Sequence, residues 1–305
     1  MTKSPYNYTQ RIVVSVMIAV GCMLVYLLSD YISGLFYPPL HHTFTIPALF
    51  FLFLSYVITI FFVSLLFEQF SLTLRAKFIS LFFYFFFLTG GIQGLIHYIM
   101  QTGVQVESVF IVSGGISLTT AILMVKGFPI IHGDPQPYFK QMNDYFKRRS
   151  LFDWTARILS AGAFMFVTYY LMNSMIFPFV EPYYDKESTH FLAYYGNFEA
   201  IKRTAMVTHS AMMILAFIPL FALWKGSKSS LLFWFGFPLF IVVALQPFIL
   251  YFQWPLGFRF PILIQMTMIM YIQAIILVQL FYLPADKNYE EERYFHSMWS
   301  YNKLT

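Results

Sequence analysis

The stretch TIPALFFLFLSYVITIFFVSLLF at residues 45–67 decides the fold. It carries no charge from end to end and shows no alternation of polar and apolar residues. A bilayer core of roughly 30 Å is crossed by about 20 apolar residues in helical form. A helix that is apolar on every side has no place on the outside of a soluble domain, whereas lipid tails accept it.

Working outward from this run, seven more follow the same pattern, at about 12–30, 78–100, 108–125, 157–179, 204–224, 231–252 and 259–284. None has the period-two alternation of a membrane strand. The expectation is an all-α, polytopic transmembrane helical bundle of about eight helices. Composition agrees: 59% of the 305 residues are hydrophobic and 11% are charged, where a soluble domain carries about 25% charged residues. The first run is longer than the apolar core of a secretory signal and lacks a small-residue cleavage site, so it reads as a retained helix. The single cysteine, Cys22, excludes an intramolecular disulfide, a CxxC redox pair and a thiolate metal cluster.

The basic residues set the orientation. With the N-terminus inside, 15 Lys and Arg fall in inner segments and only Lys186, Lys202, Arg203 and Arg259 in outer ones. Positive charge near helix ends is retained on the cytoplasmic side. Both termini are therefore expected in the cytoplasm, with the chain in a bacterial cytoplasmic membrane. The net charge of +5 is dispersed among greasy spans, which argues against nucleic-acid binding.

The halves of the chain look related. Thr9-Gln10-Arg11-Ile12 enters span 1 after Tyr8, and Thr155-Ala156-Arg157-Ile158 enters span 5 after Trp154. Lys77 precedes an aromatic run into span 3, and Lys228 does so for span 7. Glutamines follow at Gln93 and Gln246. The expected organisation is a first four-helix unit at 1–126, a cytoplasmic connector at 127–156, a second unit at 157–284 and a tail at 285–305. Two units with an even number of spans each share one orientation, related by an axis along the membrane normal. This count and arrangement resemble those of the NrfD-like, quinol-interacting anchor subunits of bacterial respiratory complexes. In the connector, prolines at 135 and 137 stop any helix early, and the basic stretch from Tyr138 to Arg149 suits a short interfacial helix. That stretch could meet anionic lipid or the subunits of a protein assembly.

Polar residues inside spans are the candidates for chemistry, since each is costly in lipid. Gln93 and His97 are four apart and share a face of span 3, and Gly90 and Gly94 allow close approach of a neighbour. Span 4 presents a small, polar surface at Ser113, Gly114, Gly115, Ser117, Thr119 and Thr120, expected against span 3. His97, His209, His41, His42 and His190 all map to the outer side. Imidazole ligates metals when neutral and titrates near physiological pH. The ligand-binding candidates are therefore Gln93, His97, His209 and Arg259, with His41, His42 and His190 as candidate metal ligands. Haem, a quinone or a divalent metal would each suit such a set, although no HxxxH or HExxH spacing is present.

Pro219, Pro238 and Pro247 interrupt spans 6 and 7, and Gln246, Gln253, Gln265, Gln273 and Gln279 place amides in or beside spans 7 and 8. Paired interrupted helices mark transporter sites, but spans 2 and 3 have no matching prolines. No Walker A loop, GxSxG elbow or dinucleotide glycine fingerprint occurs. Three readings follow. One is a membrane subunit of a redox or quinol-associated assembly, with a polar pocket near the outer face. Another is a permease for a small or lipid-like solute. The third is a membrane enzyme acting on lipid-linked substrates, with outer His and acidic residues as general base and electrophile.

Overall fold

A computed structural model describes residues 6–36, 46–68, 70, 72–91, 106–129, 138–183, 213–250 and 254–283. Among them the chain forms nine helices and no strand: α1 (Tyr8–Phe36), α2 (Ile46–Glu68), α3 (Leu74–Phe85), α4 (Val106–Gly127), α5 (Tyr138–Lys147), α6 (Leu151–Val180), α7 (Met213–Leu223), α8 (Lys228–Leu239) and α9 (Leu256–Phe281). Six helical segments are long and apolar enough to cross a bilayer: Tyr8–Ser29, Leu49–Glu68, Val109–Gly127, Leu151–Tyr183, Lys228–Ile249 and Leu256–Phe281. They coincide with six of the eight expected spans. Of the other two, only the portions inside α3 and α7 and their immediate continuations are described. The chain is an integral membrane protein with an all-α bundle.

Local chemistry starts these helices where they start. Asn7 and Gln10 exchange side-chain and backbone hydrogen bonds at the head of α1, the reciprocal pattern that satisfies two orphan N–H groups. Thr73, Ser150 and Ser227 cap α3, α6 and α8, each accepting from the backbone N–H three residues on.

Two helices change pitch partway. The 12 α-helical residues of α3 continue as a π-helical turn, Phe86–Gly91, of 6 residues. The 12 of α8 continue as a π-helical turn, Phe240–Leu245, also of 6, and then as Gln246–Leu250. The cause is visible in α8. Pro247 has no N–H to offer, and its ring crowds the carbonyl four residues back, so the preceding turn widens. Gln246 N–H accordingly reaches the Ile241 carbonyl, five residues back. In α3 no proline is involved. The turn ends in Gly90-Gly91, and a Cβ at Gly91 would lie only 3.2 Å from Phe87 Cδ1 and 3.4 Å from the Phe86 carbonyl oxygen. Span 3 thus carries an interruption that proline counting does not register.

Packing follows small residues, because lipid tails give no hydrophobic drive between helices and close approach must supply the attraction. A Cβ on Gly115 would meet Ser29 at 2.8 Å, and one on Gly127 would meet Val14 at 2.8 Å. The small surface of α4 therefore grips α1 on one side, and α3 with its π-turn continuation packs against α4 as extensively, as expected for spans 3 and 4. In the later half, α9 likewise packs on α6 and α8. Between halves, α2 lies against α8, α3 against α7, and the two π turns touch. Aromatic rings fill this seam: Tyr84 meets Phe217 at 5.6 Å, and Phe217 meets Phe235 at 4.1 Å.

The ends of α4 and α9 are tied in parallel ways. Tyr6 donates to the Gly127 carbonyl at 3.1 Å and Lys77 donates to the Phe128 carbonyl. Beside them Arg11 donates to Ser64 Oγ at 2.7 Å and pairs with Glu68. At α9, Tyr145 donates to the Phe281 carbonyl at 2.6 Å, Arg157 to Leu280 at 2.7 Å, and Arg149 to Leu280 at 2.8 Å and Tyr282 at 3.3 Å. Asp153 pairs with both arginines. The last carbonyls of a helix lack intrahelical partners and carry partial negative charge, so cations and hydroxyls are the natural groups to meet them.

Candidate functional site

A cavity of about 130 Å³ lies inside the first group of helices. Its wall comprises Tyr26 from α1, Tyr56, Thr59 and Ile60 from α2, Phe85 from α3, and Val112, Ser113, Ile116 and Thr120 from α4. The remaining wall residue, Gln246, comes from the later half. Phe85 is the last residue before one π turn and Gln246 the first after the other. Each interruption is thus adjacent in sequence to a wall residue, though no residue of either turn is itself in the wall.

No charged side chain lines it. The polar groups are phenols, hydroxyls and one amide, set among apolar side chains. Thr120 Oγ1 is engaged, donating to the Ile116 carbonyl at 2.7 Å and lying 3.1 Å from Cys22 Sγ. Thr59 is different. It is 3% exposed and its hydroxyl has no hydrogen-bond partner. A buried hydroxyl left unpaired costs about 1–3 kcal/mol, and Thr59 leaves that cost beside the cavity. The volume is close to that of apolar protein cavities known to take up benzene, about 150 Å³. The arrangement suits a small uncharged molecule with one or two hydrogen-bonding groups.

In the later half Gln265 donates to Asn173 Oδ1, and Gln273, about 12 Å further along α9, is fully buried. Gln279, fourteen residues beyond Gln265, is exposed. Fourteen residues leave a drift of about 40° around a helix, so the two amides do not share one path.

Of the residues singled out in the sequence, Ser113, Thr120 and Gln246 are brought together here. Arg259 is placed elsewhere. It donates to the Phe248 carbonyl at 3.0 Å and the Trp254 carbonyl at 2.8 Å, with its guanidinium over the Phe248 ring. It ties the end of α8 to the start of α9. Gln93, His97, His209, His41, His42 and His190 lie outside the described residues. Among the described residues no group of His, Cys, Asp or Glu could hold a metal ion.

Tyr26, Tyr56 and Thr59 carried no sequence signal of their own. They sit in runs dominated by Phe, Leu and Ile, and only the packing shows that they face one another. No protein-family model, curated protein or solved structure matches this chain.

Proposed function

We propose that this protein is a permease for a small, uncharged solute with hydrogen-bonding groups, held midway across the bilayer in the cavity between Thr59 and Gln246. The observation that carries this reading is the pair of π turns, in contact with each other and each next in sequence to a wall residue of the cavity, Phe85 before one and Gln246 after the other. Interrupted helices at matching positions of two halves are where solute carriers place their sites, and π turns inside α-helices recur at functional positions.

The carrier is built from two related four-helix units, 1–126 and 157–284, joined by the 127–156 connector. Supporting this, the caps Thr73 and Ser227 are 154 residues apart, and each opens a 12-residue α segment followed by a 6-residue π turn. The neighbour relations repeat as well, with α4 on α1 and α3 matching α9 on α6 and α8. The excess of Lys and Arg on one side supports cytoplasmic termini and a bacterial cytoplasmic membrane as the site of action. A redox or quinol-bearing role would rest on histidines outside the described residues, so the cavity favours transport.

The test is flux into proteoliposomes. A panel of polyols, short amides and phenols is assayed with the native chain and with Thr59→Val and Gln246→Leu. Carrier activity predicts flux of at least one solute that both variants depress. Absence of flux for the whole panel, combined with an optical spectrum showing bound haem or quinone, would return the protein to the redox class.

A further inference from the structure

Helical spacing gives α5 three distinct edges. Tyr138, Met142 and Tyr145, four and three residues apart, turn towards the bundle, where Tyr145 is buried and its ring lies 5.2 Å from that of Trp154. Beside this edge, Phe139 stands 77% exposed. Past the end of α5 the chain turns at Ser150 and enters α6, whose first two residues, Leu151 and Phe152, are 82% and 83% exposed. Lys140 and Lys147, seven apart, share the outward edge, and Arg148 follows them, all exposed. Asp144 is the acid on that edge, while Asp153 is taken up by Arg149 and Arg157. The exposed edge is therefore net positive and lies beside a bare aromatic and aliphatic one.

Leu151 and Phe152 open a helix long and apolar enough to cross a membrane, so the elbow stands at one end of a candidate span. Water is a poor surrounding for three such bare apolar side chains on one elbow. An amphipathic helix with basic and aromatic edges lies stably at the boundary between headgroups and acyl chains, and basic residues there attract anionic lipid. We propose that the elbow from Tyr138 to Phe152 is a binding site for anionic phospholipid. Lys140, Lys147 and Arg148 hold the headgroup phosphate, and Phe139, Leu151 and Phe152 enter the acyl region. Charge complementarity and continuity with a membrane helix select lipid over a soluble protein as the occupant.

The test uses the full-length chain in phosphatidylcholine vesicles carrying a trace of spin-labelled phosphatidylglycerol or spin-labelled phosphatidylcholine. The ratio of immobilised fractions gives the selectivity. The native chain is expected to favour phosphatidylglycerol, with the preference weakened by salt. Lys140→Gln lowers it by up to about fivefold, the factor equivalent to one surface cation, and the Lys140→Gln, Lys147→Gln, Arg148→Gln combination lowers it further. If the combination is not recovered folded, the two lysine single variants carry the test. Selectivity that is unchanged in these variants overturns the proposal. So does loss of a co-purifying protein from the variants while lipid preference stays as in the native chain, which would assign the elbow to a protein partner. The readout is lipid preference rather than flux, so it stands or falls independently of the transport reading.

Discussion

Arg11 and Glu68, 57 residues apart in sequence, form an ion pair at the end of the first group of helices with side chains 1% and 5% exposed. Lys77 lies close enough to feel both charges. A buried pair is weak evidence of net stabilisation, but breaking one from a single side costs about 3–5 kcal/mol. Glu68→Ala leaves Arg11 and Lys77 as two uncompensated cations and is expected to lose that amount. Arg11→Ala loses less, because Lys77 remains to face Glu68. An Arg11→Met, Glu68→Leu double variant recovers only part of the loss, because Lys77 is still left without its counter-charge. Denaturation in detergent, followed by circular dichroism, measures all three; equal losses for the two single variants would show that Lys77 takes no part.

Tyr145 gives a pH-dependent signature. Burial holds its phenol above the usual range, against the opposing pull of Arg149, and its hydroxyl donates to the Phe281 carbonyl. Below about pH 10 the phenol is protonated in both folded and unfolded chains. Above that value the unfolded chain releases the proton while the folded chain retains it, so stability falls as pH rises. Tyr145→Phe is expected to cost about 1–3 kcal/mol at neutral pH by leaving a buried carbonyl unsatisfied. It should also show a shallower decline above pH 10 than the native chain. Parallel alkaline curves for the two proteins would remove Tyr145 as a source of the decline.

The spans were legible because length and hydropathy act locally: each run of apolar residues announces its own helix, whatever it packs against. The polar surface of span 4 was also readable at Ser113 and Thr120, and so was span 3 as a partner, which α3 and its π turn supply. What was not readable is the second partner: Gly115 and Gly127 meet α1, a choice made by shape between segments far apart in the chain. Arg11 looked like a topology anchor, and nothing local tied it to Glu68. The π turn of α8 had a sequence trace in Pro247, whereas that of α3 had only a glycine pair. The cavity was illegible because Tyr56 and Thr59 acquire meaning only when α1, α4 and Gln246 close around them. The histidine cluster that dominated the sequence reading falls outside the described residues.

Thr59 separates a binding role from a packing role. Thr59→Val keeps the shape and removes the unpaired hydroxyl, so stability is expected to rise by up to about 1 kcal/mol. If the hydroxyl meets the transported solute, half-saturating solute concentration rises by about tenfold, the equivalent of one lost hydrogen bond of about 1.4 kcal/mol. Thermal stability and concentration-dependent flux are measured on the same preparation. A more stable variant with unaltered flux would reduce Thr59 to a strained wall residue.

The π turn of α8 admits the sharpest test of the transport reading. A π turn is wider than an α turn, and removing one residue from it, with Pro247 also replaced by Ala so that the cause of the widening is gone, lets the segment close into regular α-helix while the flanking portions keep their facing. Deleting Val243, a half-buried member of the turn, in the Pro247→Ala background should therefore leave Gln246 on the cavity side and shorten only the turn beside it. Regular hydrogen bonding makes the helix stiffer, so stability is expected to be equal or higher. If the interruption serves the passage of solute, flux falls at least about tenfold, a barrier rise of about 1.4 kcal/mol, although every cavity side chain is still present. Deletion of Phe233, an exposed residue in the α part of α8, is the contrasting control. It rotates everything upstream by about 100°, and it should damage stability as well as flux. Retention of full flux in the Val243 deletion would remove the functional meaning of the paired turns and, with it, the main support for a carrier.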